Sequence, residues 1–176
     1  TADAIALLGA LYRARTHTKD TITLGEEFKL LEMYLKIMEL RFGDNFFYQV
    51  ELEDALRKIP TVSFWLQPLA ENFFTHGFDR ESMYNLLIIS GHPQGSDTVI
   101  EIMDNGSGVP ADQLEQVQKT MREGNDDPEA DIGLRNVYMR LNYFYGNGFK
   151  MEIGNNPEGG FKISILIPGK VEEDVH

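Results

Sequence analysis

Hydrophobic and polar residues follow two periods along this chain, one typical of helices and one typical of strands. Spacings of three and four residues predict helices over residues 4–15, 24–42 and 63–76, after Pro110, and from Ile132. Alternation of apolar and polar positions predicts strands over residues 46–53, 83–90, 97–103, 149–153 and 161–167. Links rich in turn residues predict that the second and third strands form an antiparallel hairpin, and that the last two strands form another.

The helix predicted over residues 24–42 has the most regular pattern. Its apolar residues recur in steps of four and three, and Gly43 is placed to end it: Leu24, Phe28, Leu31, Leu35, Met38 and Phe42. Its charged residues are predicted on the solvent side: Glu26, Glu27, Lys29, Lys36 and Glu39. A dimer seam needs more heptads than are present, so the pattern favours a core helix.

A narrow polar stripe crosses the aromatic-rich segment 63–76, whose regular helix is predicted to begin near Pro68. Five polar side chains share one strip of the helix, with spacings of four residues: Gln67, Glu71, Thr75, Asn72 and His76. The bare pattern favours a solvated stripe on a surface helix. The density of Phe and Trp around it argues for burial instead.

One carboxylate continues an apolar row at the end of a predicted strand. Ile100, Ile102 and Asp104 share one face, and a glycine turn, Asn105–Gly108, follows. A buried carboxylate is costly unless it is hydrogen-bonded, so a flat ligand with N–H donors would suit this position. Taken alone, the segment is equally compatible with an ordinary turn.

The helix predicted from Ile132 begins with glycine, directly after a polar segment, 122–131, that is predicted to be a loop. A helix N-terminus presents free backbone N–H groups and suits phosphate oxygens, although many helices that begin in this way bind nothing.

Composition limits the classes of function. The chain has 176 residues, a net charge of −12 and no cysteine. One domain is expected, and broad electrostatic binding to nucleic acid or to an anionic membrane is disfavoured. Disulfides and thiolate metal sites are excluded, and no apolar run is long enough to span a membrane. Because Thr1 opens the chain within a predicted helix, we expect a fragment of a longer protein.

The order of these features resembles the ATP-binding domain of sensor histidine kinases, whose fold is shared with gyrase-type and heat-shock chaperone ATPases. Residues 66–77 resemble the N box, 104–108 the G1 box and 132–136 the G2 box. Within that superfamily, the N-box segment and the pattern over residues 27–43 resemble the LytS-like kinases.

The resemblance implies a two-layer α/β (α+β) sandwich of the Bergerat type, with a mixed, mostly antiparallel sheet and helices on one face. The implied organisation is a helical segment, 1–43, at the end of a dimerisation and phosphoacceptor region, then an ATP-binding kinase domain, 44–170, and a tail, 171–176.

The resemblance also implies a role for each site residue. Asp104 would accept a hydrogen bond from the adenine amine, Asn72 would coordinate Mg²⁺, and Glu71 would have a polar role near the metal as a catalytic residue. The remaining nucleotide-binding residues would be Gly106, Gly108, Gly133, Leu134, Arg135 and His76.

The chain departs from the family pattern in both phosphate-facing boxes. Phe73 and Thr75 replace a small and a basic residue of the N box, and Asp131 replaces the first glycine of the G2 box. The expected lid is acidic throughout: Glu123, Asp126, Asp127, Glu129 and Asp131. Such a lid would repel a triphosphate unless Mg²⁺ or the nearby cations Lys119, Arg122 and Arg135 offset its charge.

The expected function is transfer of the γ-phosphoryl of Mg·ATP to a histidine on an upstream helix, since residues 1–15 contain no histidine. The expected partners are a second copy, bound through upstream helices, and a response regulator. The fragment would be a cytoplasmic domain of a parent protein anchored in the bacterial cell membrane. Two alternatives remain: a degenerate nucleotide-binding pseudokinase that acts as an interaction module, and a hydrolysing ATPase of the same fold.

Overall fold

The computed structural model describes residues 2–124 and 132–169, and this part of the chain forms one α/β unit. Its helices are α1 (Ala2–His17), α2 (Leu24–Phe42), α3 (Leu66–Asn72), α4 (Ala111–Glu123) and α5 (Ile132–Tyr145). Its strands are β1 (Thr21–Thr23), β2 (Phe46–Leu52), β3 (Pro60–Val62), β4 (Asn85–Gln94), β5 (Asp97–Asp104), β6 (Lys150–Asn155) and β7 (Phe161–Ile167). The tail at 171–176 lies outside the described residues.

Five strands form the main sheet, in the order β2-β4-β5-β7-β6. Only β2 and β4 pair in parallel, whereas the β4–β5, β5–β7 and β6–β7 pairs are antiparallel. Alternate strand residues pack with α2, α3 and α5 in one hydrophobic core. The predicted fold class, the mixed sheet and both hairpins are confirmed.

Helix α2 is part of that core. Leu24, Leu31 and Leu35 are buried in the same cluster as the inward-facing residues of the sheet. Thr23 and Glu26 form a capping box at its start: Thr23 Oγ1 accepts from the Glu26 N–H at 3.2 Å, and Glu26 Oε2 accepts from the Thr23 N–H at 2.8 Å. The predicted domain boundary at residue 43 stays a prediction.

A second, two-stranded sheet was not predicted. β1 and β3 pair antiparallel, with Ile22 opposite Thr61. Strands of three residues are too short to show alternation, and this pair depends on contacts across about forty residues of sequence. The small sheet ties the start of α2 to the chain segment that leads into α3.

The hairpin of β4 and β5 is longer than predicted. β4 continues through Gly91 to Gln94. Gly91 lies within the strand, where side chains of neighbouring strands pack against it, and does not begin a loop. A Cβ at Gly91 would lie 2.6 Å from Leu52 Cδ1 and 2.9 Å from Ile100 Cδ1. The turn itself contains only Gly95 and Ser96.

The helix predicted over residues 63–76 is shorter and changes type. α3 begins at Leu66, so Pro68 falls in its first turn, where a missing N–H is tolerated. Phe73–Gly77 then form a π-helical turn. Residues 63–65 are a non-helical turn in which Phe64 has a φ of 57°, in the left-handed region.

The predicted exposure of Glu27 is wrong. Its side chain is only 1% exposed, because its carboxylate accepts hydrogen bonds from the backbone N–H groups of three consecutive residues, 64–66. A buried carboxylate is tolerated when such donors satisfy it.

None of the helices in residues 2–124 and 132–169 is long and apolar enough to span a membrane.

Candidate functional site

A cavity of about 320 Å³ lies where α3, α4, α5 and the ends of β5 and β7 meet. Five of the predicted site residues line it: Asn72, His76, Asp104, Gly108 and Leu134. Its remaining walls are largely apolar: Gly77, Val109, Pro110, Gln113, Val117 and Phe161. Its size and its apolar walls with few polar groups are typical of a small-molecule site.

Asp104 is the buried carboxylate of this cavity. β5 alternates as predicted, so Asp104 continues the buried row of Ile100 and Ile102. Its Oδ1 atom accepts from the Gly106 N–H at 2.8 Å and from the Phe161 N–H at 3.1 Å. No described residue donates to its Oδ2 atom, so one acceptor remains available to a ligand.

Burial raises the pKa of the Asp104 carboxyl, and the hydrogen bonds from Gly106 and Phe161 act in the opposite direction. The site therefore holds a carboxylate that is costly to ionise, and the described residues donate hydrogen bonds to only one of its two oxygens. A ligand that donates an N–H to Oδ2 would complete its hydrogen bonding.

The predicted N and G1 boxes meet through two glycines. A Cβ on Gly106 would overlap the carbonyl oxygen of Gly77 and lie 2.7 Å from Gly77 Cα. A Cβ on Gly77 would in turn lie 3.3 Å from the Asp104 carboxyl. The turn after Asp104 is thus pressed directly against the end of the polar-striped helix, which an ordinary surface turn does not require.

The polar stripe divides between the cavity and the solvent. Asn72, which is half-buried, and His76, which is exposed, line the cavity, whereas Glu71 and Thr75 are exposed and do not line it. The Asn72 side chain has no hydrogen-bond partner among residues 2–124 and 132–169, so its oxygen is available. Gln67 Nε2 donates to Glu71 Oε1 at 2.8 Å and so holds the Glu71 carboxylate on the helix surface.

At the start of α5, the three predicted nucleotide-binding residues differ in their position relative to the cavity. Leu134 is buried and lines the cavity, and Gly133 lies beside it in the first turn. Arg135 does not line the cavity: its Nη1 atom donates to the carbonyl of Arg122 at 3.1 Å, at the end of α4. Its guanidinium satisfies a carbonyl that the helix end leaves free. The other lid positions, Asp126, Asp127, Glu129 and Asp131, lie outside the described residues.

The sequence did not point to the contribution of the β6–β7 hairpin. Phe161 donates its N–H to Asp104, and Gly160, with a φ of 94°, lets the chain pass so close that a Cβ would overlap the Asp104 carbonyl. The pair Gly159-Gly160 before a strand was the available signal, since adjacent glycines favour close backbone approach.

This arrangement fits a nucleotide. The apolar walls and the Oδ2 atom of Asp104, to which no described residue donates, suit a flat base with an exocyclic amine, such as adenine. The side-chain oxygen of Asn72, to which no described residue donates, is a hard donor and would suit Mg²⁺.

Comparisons with known sequences agree with this geometry. A family model described as "Histidine kinase" matches residues 1–46. The chain is 29% identical over 159 residues to the sensor protein LytS of Staphylococcus haemolyticus (strain JCSC1435). This alignment covers 89% of the chain. The alignment covers 26% of that relative, so the chain spans about a quarter of its length.

Solved structures show the same fold. The catalytic domain of histidine kinase ThkA matches with a TM-score of 0.63 at 12% identity, over 86% of this chain and 96% of that chain. Full-length ShkA in complex with AMPPNP matches with a TM-score of 0.59 at 13% identity, over 84% of this chain and 30% of that chain. The predicted resemblance is confirmed: this chain is a relative of the LytS-type sensor proteins and has the fold of a histidine kinase catalytic domain.

Proposed function

We propose that this chain is the ATP-binding catalytic part of a sensor histidine kinase. The observation that carries the proposal is the Asp104 carboxylate in an apolar cavity also lined by Asn72, with an Oδ2 atom that accepts from none of residues 2–124 and 132–169. The relationship to LytS-type sensor proteins supports it, as does the AMPPNP complex of ShkA, a protein with the same fold.

In this function, each residue contributes through position and charge. Asp104 accepts a hydrogen bond from the exocyclic amine of adenine and so orients the base. The side-chain oxygen of Asn72 and the amides at Gly133 and Leu134 hold the phosphate end. Mg²⁺, when bound, neutralises charge on the phosphate oxygens. Glu71, held by Gln67 beside Asn72, has a polar role near that end.

The reaction forms a bond between a histidine ring nitrogen and the γ-phosphorus, breaks the bond from that phosphorus to the bridging oxygen of ADP, and releases ADP. The accepting histidine lies on a helix upstream of this sequence. A response regulator then receives the phosphoryl group. The parent protein is a dimer anchored in the bacterial cell membrane, and this part of it lies in the cytoplasm.

Calorimetric titration of the purified chain with ATP and Mg²⁺ tests the binding step. We expect saturable heat in the wild type and markedly weaker binding in Asp104→Asn. No heat at millimolar ATP would contradict the proposal. Transfer is tested with the parent protein and ATP labelled at the γ-phosphate, where the label should become acid-labile and base-stable, as in phosphohistidine.

A second candidate is nucleotide binding without transfer. Two departures from the family pattern favour it. Phe73, which replaces the small residue, is a core residue and is 2% exposed. Thr75 replaces the basic residue, so the polar stripe carries no lysine, and its hydroxyl donates to the Glu71 carbonyl at 3.0 Å. This candidate predicts that ATP and ADP bind with similar affinity and that the parent protein acquires no label.

A further inference from the structure

The turn at residues 63–65, directly before the N-box helix α3, has a strained backbone. Phe64 has a φ of 57°, which side-chain-bearing residues rarely adopt. Such a conformation persists only when the surrounding structure enforces it. The contacts that enforce it here come from two other helices.

Glu27 of α2 holds the turn from one side. Its Oε2 atom accepts from the Phe64 N–H at 2.7 Å, and its Oε1 atom accepts from the N–H groups of Trp65 and Leu66 at 2.7 and 2.9 Å. Leu66 is the first residue of α3, so Glu27 satisfies donors that the start of this helix would otherwise leave free.

Arg140 of α5 holds the same turn from the other side. Its Nη2 atom donates to the Ser63 carbonyl at 2.6 Å, and its Nη1 atom donates to the Phe64 carbonyl at 3.4 Å. Glu27 thus accepts hydrogen bonds from N–H groups of this segment, whereas Arg140 donates hydrogen bonds to its carbonyls. The two side chains carry opposite charges, and each meets backbone groups of the matching polarity.

The turn is connected through two helices to the proposed phosphate end of the cavity. α3 leads from the turn to Glu71 and Asn72 within two helical turns, and α5 brings Leu134 to the cavity from its first turn. Neither Glu27 nor Arg140 lines the cavity. Any effect of these residues on a ligand must therefore act through the placement of α3 and α5.

We infer that Glu27 is a positioning residue that sets where α3 presents Asn72, and so controls the metal-dependent part of nucleotide affinity. The inference rests on the proposed function. The adenine end of the cavity also has contacts outside α3, because Asp104 accepts hydrogen bonds from Gly106 and from Phe161 of β7. Loss of the Glu27 contacts should therefore affect the two ends of the nucleotide unequally.

Glu27→Gln tests this inference. It preserves side-chain size but replaces one acceptor oxygen with an NH₂ group that faces backbone N–H donors. Affinities are measured by calorimetry for adenosine, for ATP with a chelator, and for ATP with Mg²⁺. We expect the gain in affinity that Mg²⁺ gives ATP to fall about tenfold, as for residues that orient metal ligands, while adenosine binds as in the wild type.

Glu32→Gln is the matched control. Glu32 lies on the same helix, is exposed, and makes no side-chain hydrogen bond to a described residue, so none of the affinities should change. Arg140→Met should reproduce the selective loss from the other side of the turn, and it gives the decisive result if Glu27→Gln does not fold.

Three results would overturn the inference. An unchanged Mg²⁺-dependent gain in both variants would show that the turn does not position Asn72. Equal losses for adenosine and for Mg·ATP would show that Glu27 acts only by holding the fold together. If the wild-type chain shows no Mg²⁺-dependent binding, the proposed function fails as well, whereas the first two results leave it intact.

Discussion

Asn155 binds the backbone of Val109 through both ends of its side-chain amide. The Val109 N–H donates to Asn155 Oδ1 at 2.8 Å, and Asn155 Nδ2 donates to the Val109 carbonyl at 2.7 Å. Gly108, with a φ of 70°, precedes Val109, and both residues line the cavity. The end of β6 therefore fixes the position and orientation of the loop that follows Asp104.

Asn155→Ala should weaken adenosine binding. The loss of two hydrogen bonds leaves the loop at Gly108 and Val109 free to leave its binding conformation, which lowers the population that can bind. We expect a cost of about 1–2 kcal/mol, roughly tenfold in Kd, measured by calorimetry. Asn147→Ala is the control, because Asn147 is exposed and its side chain bonds to no described residue. Equal Kd values in the two variants would remove this role from Asn155.

Gly106→Ala should separate the two halves of the cavity. The new methyl group would overlap Gly77, so the turn after Asp104 must move away from the end of the N-box helix. We expect the free energy of unfolding to fall by about 1–3 kcal/mol and adenosine binding to be lost. Gly154→Ala is a matched control, since a Cβ there meets nothing within 4 Å. Wild-type affinity in Gly106→Ala would refute the contact.

Adenosine affinity should depend on the protonation of Asp104. Because burial raises the pKa of this carboxyl, it takes up a proton at a higher pH than an ordinary aspartate does. Oδ1 already accepts two N–H groups, so the proton would lie on Oδ2 and face the adenine amine, donor against donor. Affinity should be constant at neutral pH and fall as pH decreases through the raised pKa. Adenosine is the right probe because it has no phosphate that titrates.

Asp104→Asn is the counterpart of that experiment. Its amide oxygen should take the Oδ1 position, so that the NH₂ group faces the adenine amine at every pH. We expect adenosine affinity to be about tenfold or more below that of the wild type at pH 7 and to lose its acid-dependent fall. A pH profile that persists in this variant would assign the titration to another group.

Thr75→Lys should tighten ATP binding by a few-fold. Thr75 is an exposed position of the polar stripe, one helical turn beyond Glu71, where the family has a basic residue. A surface cation near phosphates contributes about 0.2–1 kcal/mol and is screened by salt. ATP affinity should therefore rise in Thr75→Lys at low ionic strength, whereas adenosine affinity and the neutral variant Thr75→Gln should not change. A gain for adenosine would show that the phosphates are not involved.

Periodicity predicted the helices and both hairpins because each of these elements buries one face along its own length. Glu27 shows where that approach fails. A carboxylate in a helical pattern is predicted to face solvent unless hydrogen-bond donors from elsewhere in the chain reach it. The three donors to Glu27 come from residues 64–66, almost forty positions later. The three-residue strands β1 and β3 were not predicted for the same reason, because each is stabilised by pairing with the other, about forty residues away.

The sequence predicted which segments form the candidate site and in what order they occur. It did not predict the contacts that complete the site. The sequence places Asn72 and Asp104 in recognisable settings, and both line the cavity. The place of Arg135 in the G2 box predicts that it joins them, but its side chain turns toward the end of α4 and donates to the Arg122 carbonyl. Phe161 contributes a backbone N–H, and a backbone donor leaves no mark on residue type.

The hydrogen bond from Phe161 to Asp104 also orders events during synthesis of the chain. β5 leaves the ribosome almost sixty residues before Phe161 is synthesised, so Asp104 lacks this donor until β7 is present beside it. The cavity, which Phe161 of β7 helps to line, is therefore completed only when β7 docks. A ligand that binds the completed cavity stabilises the finished sheet.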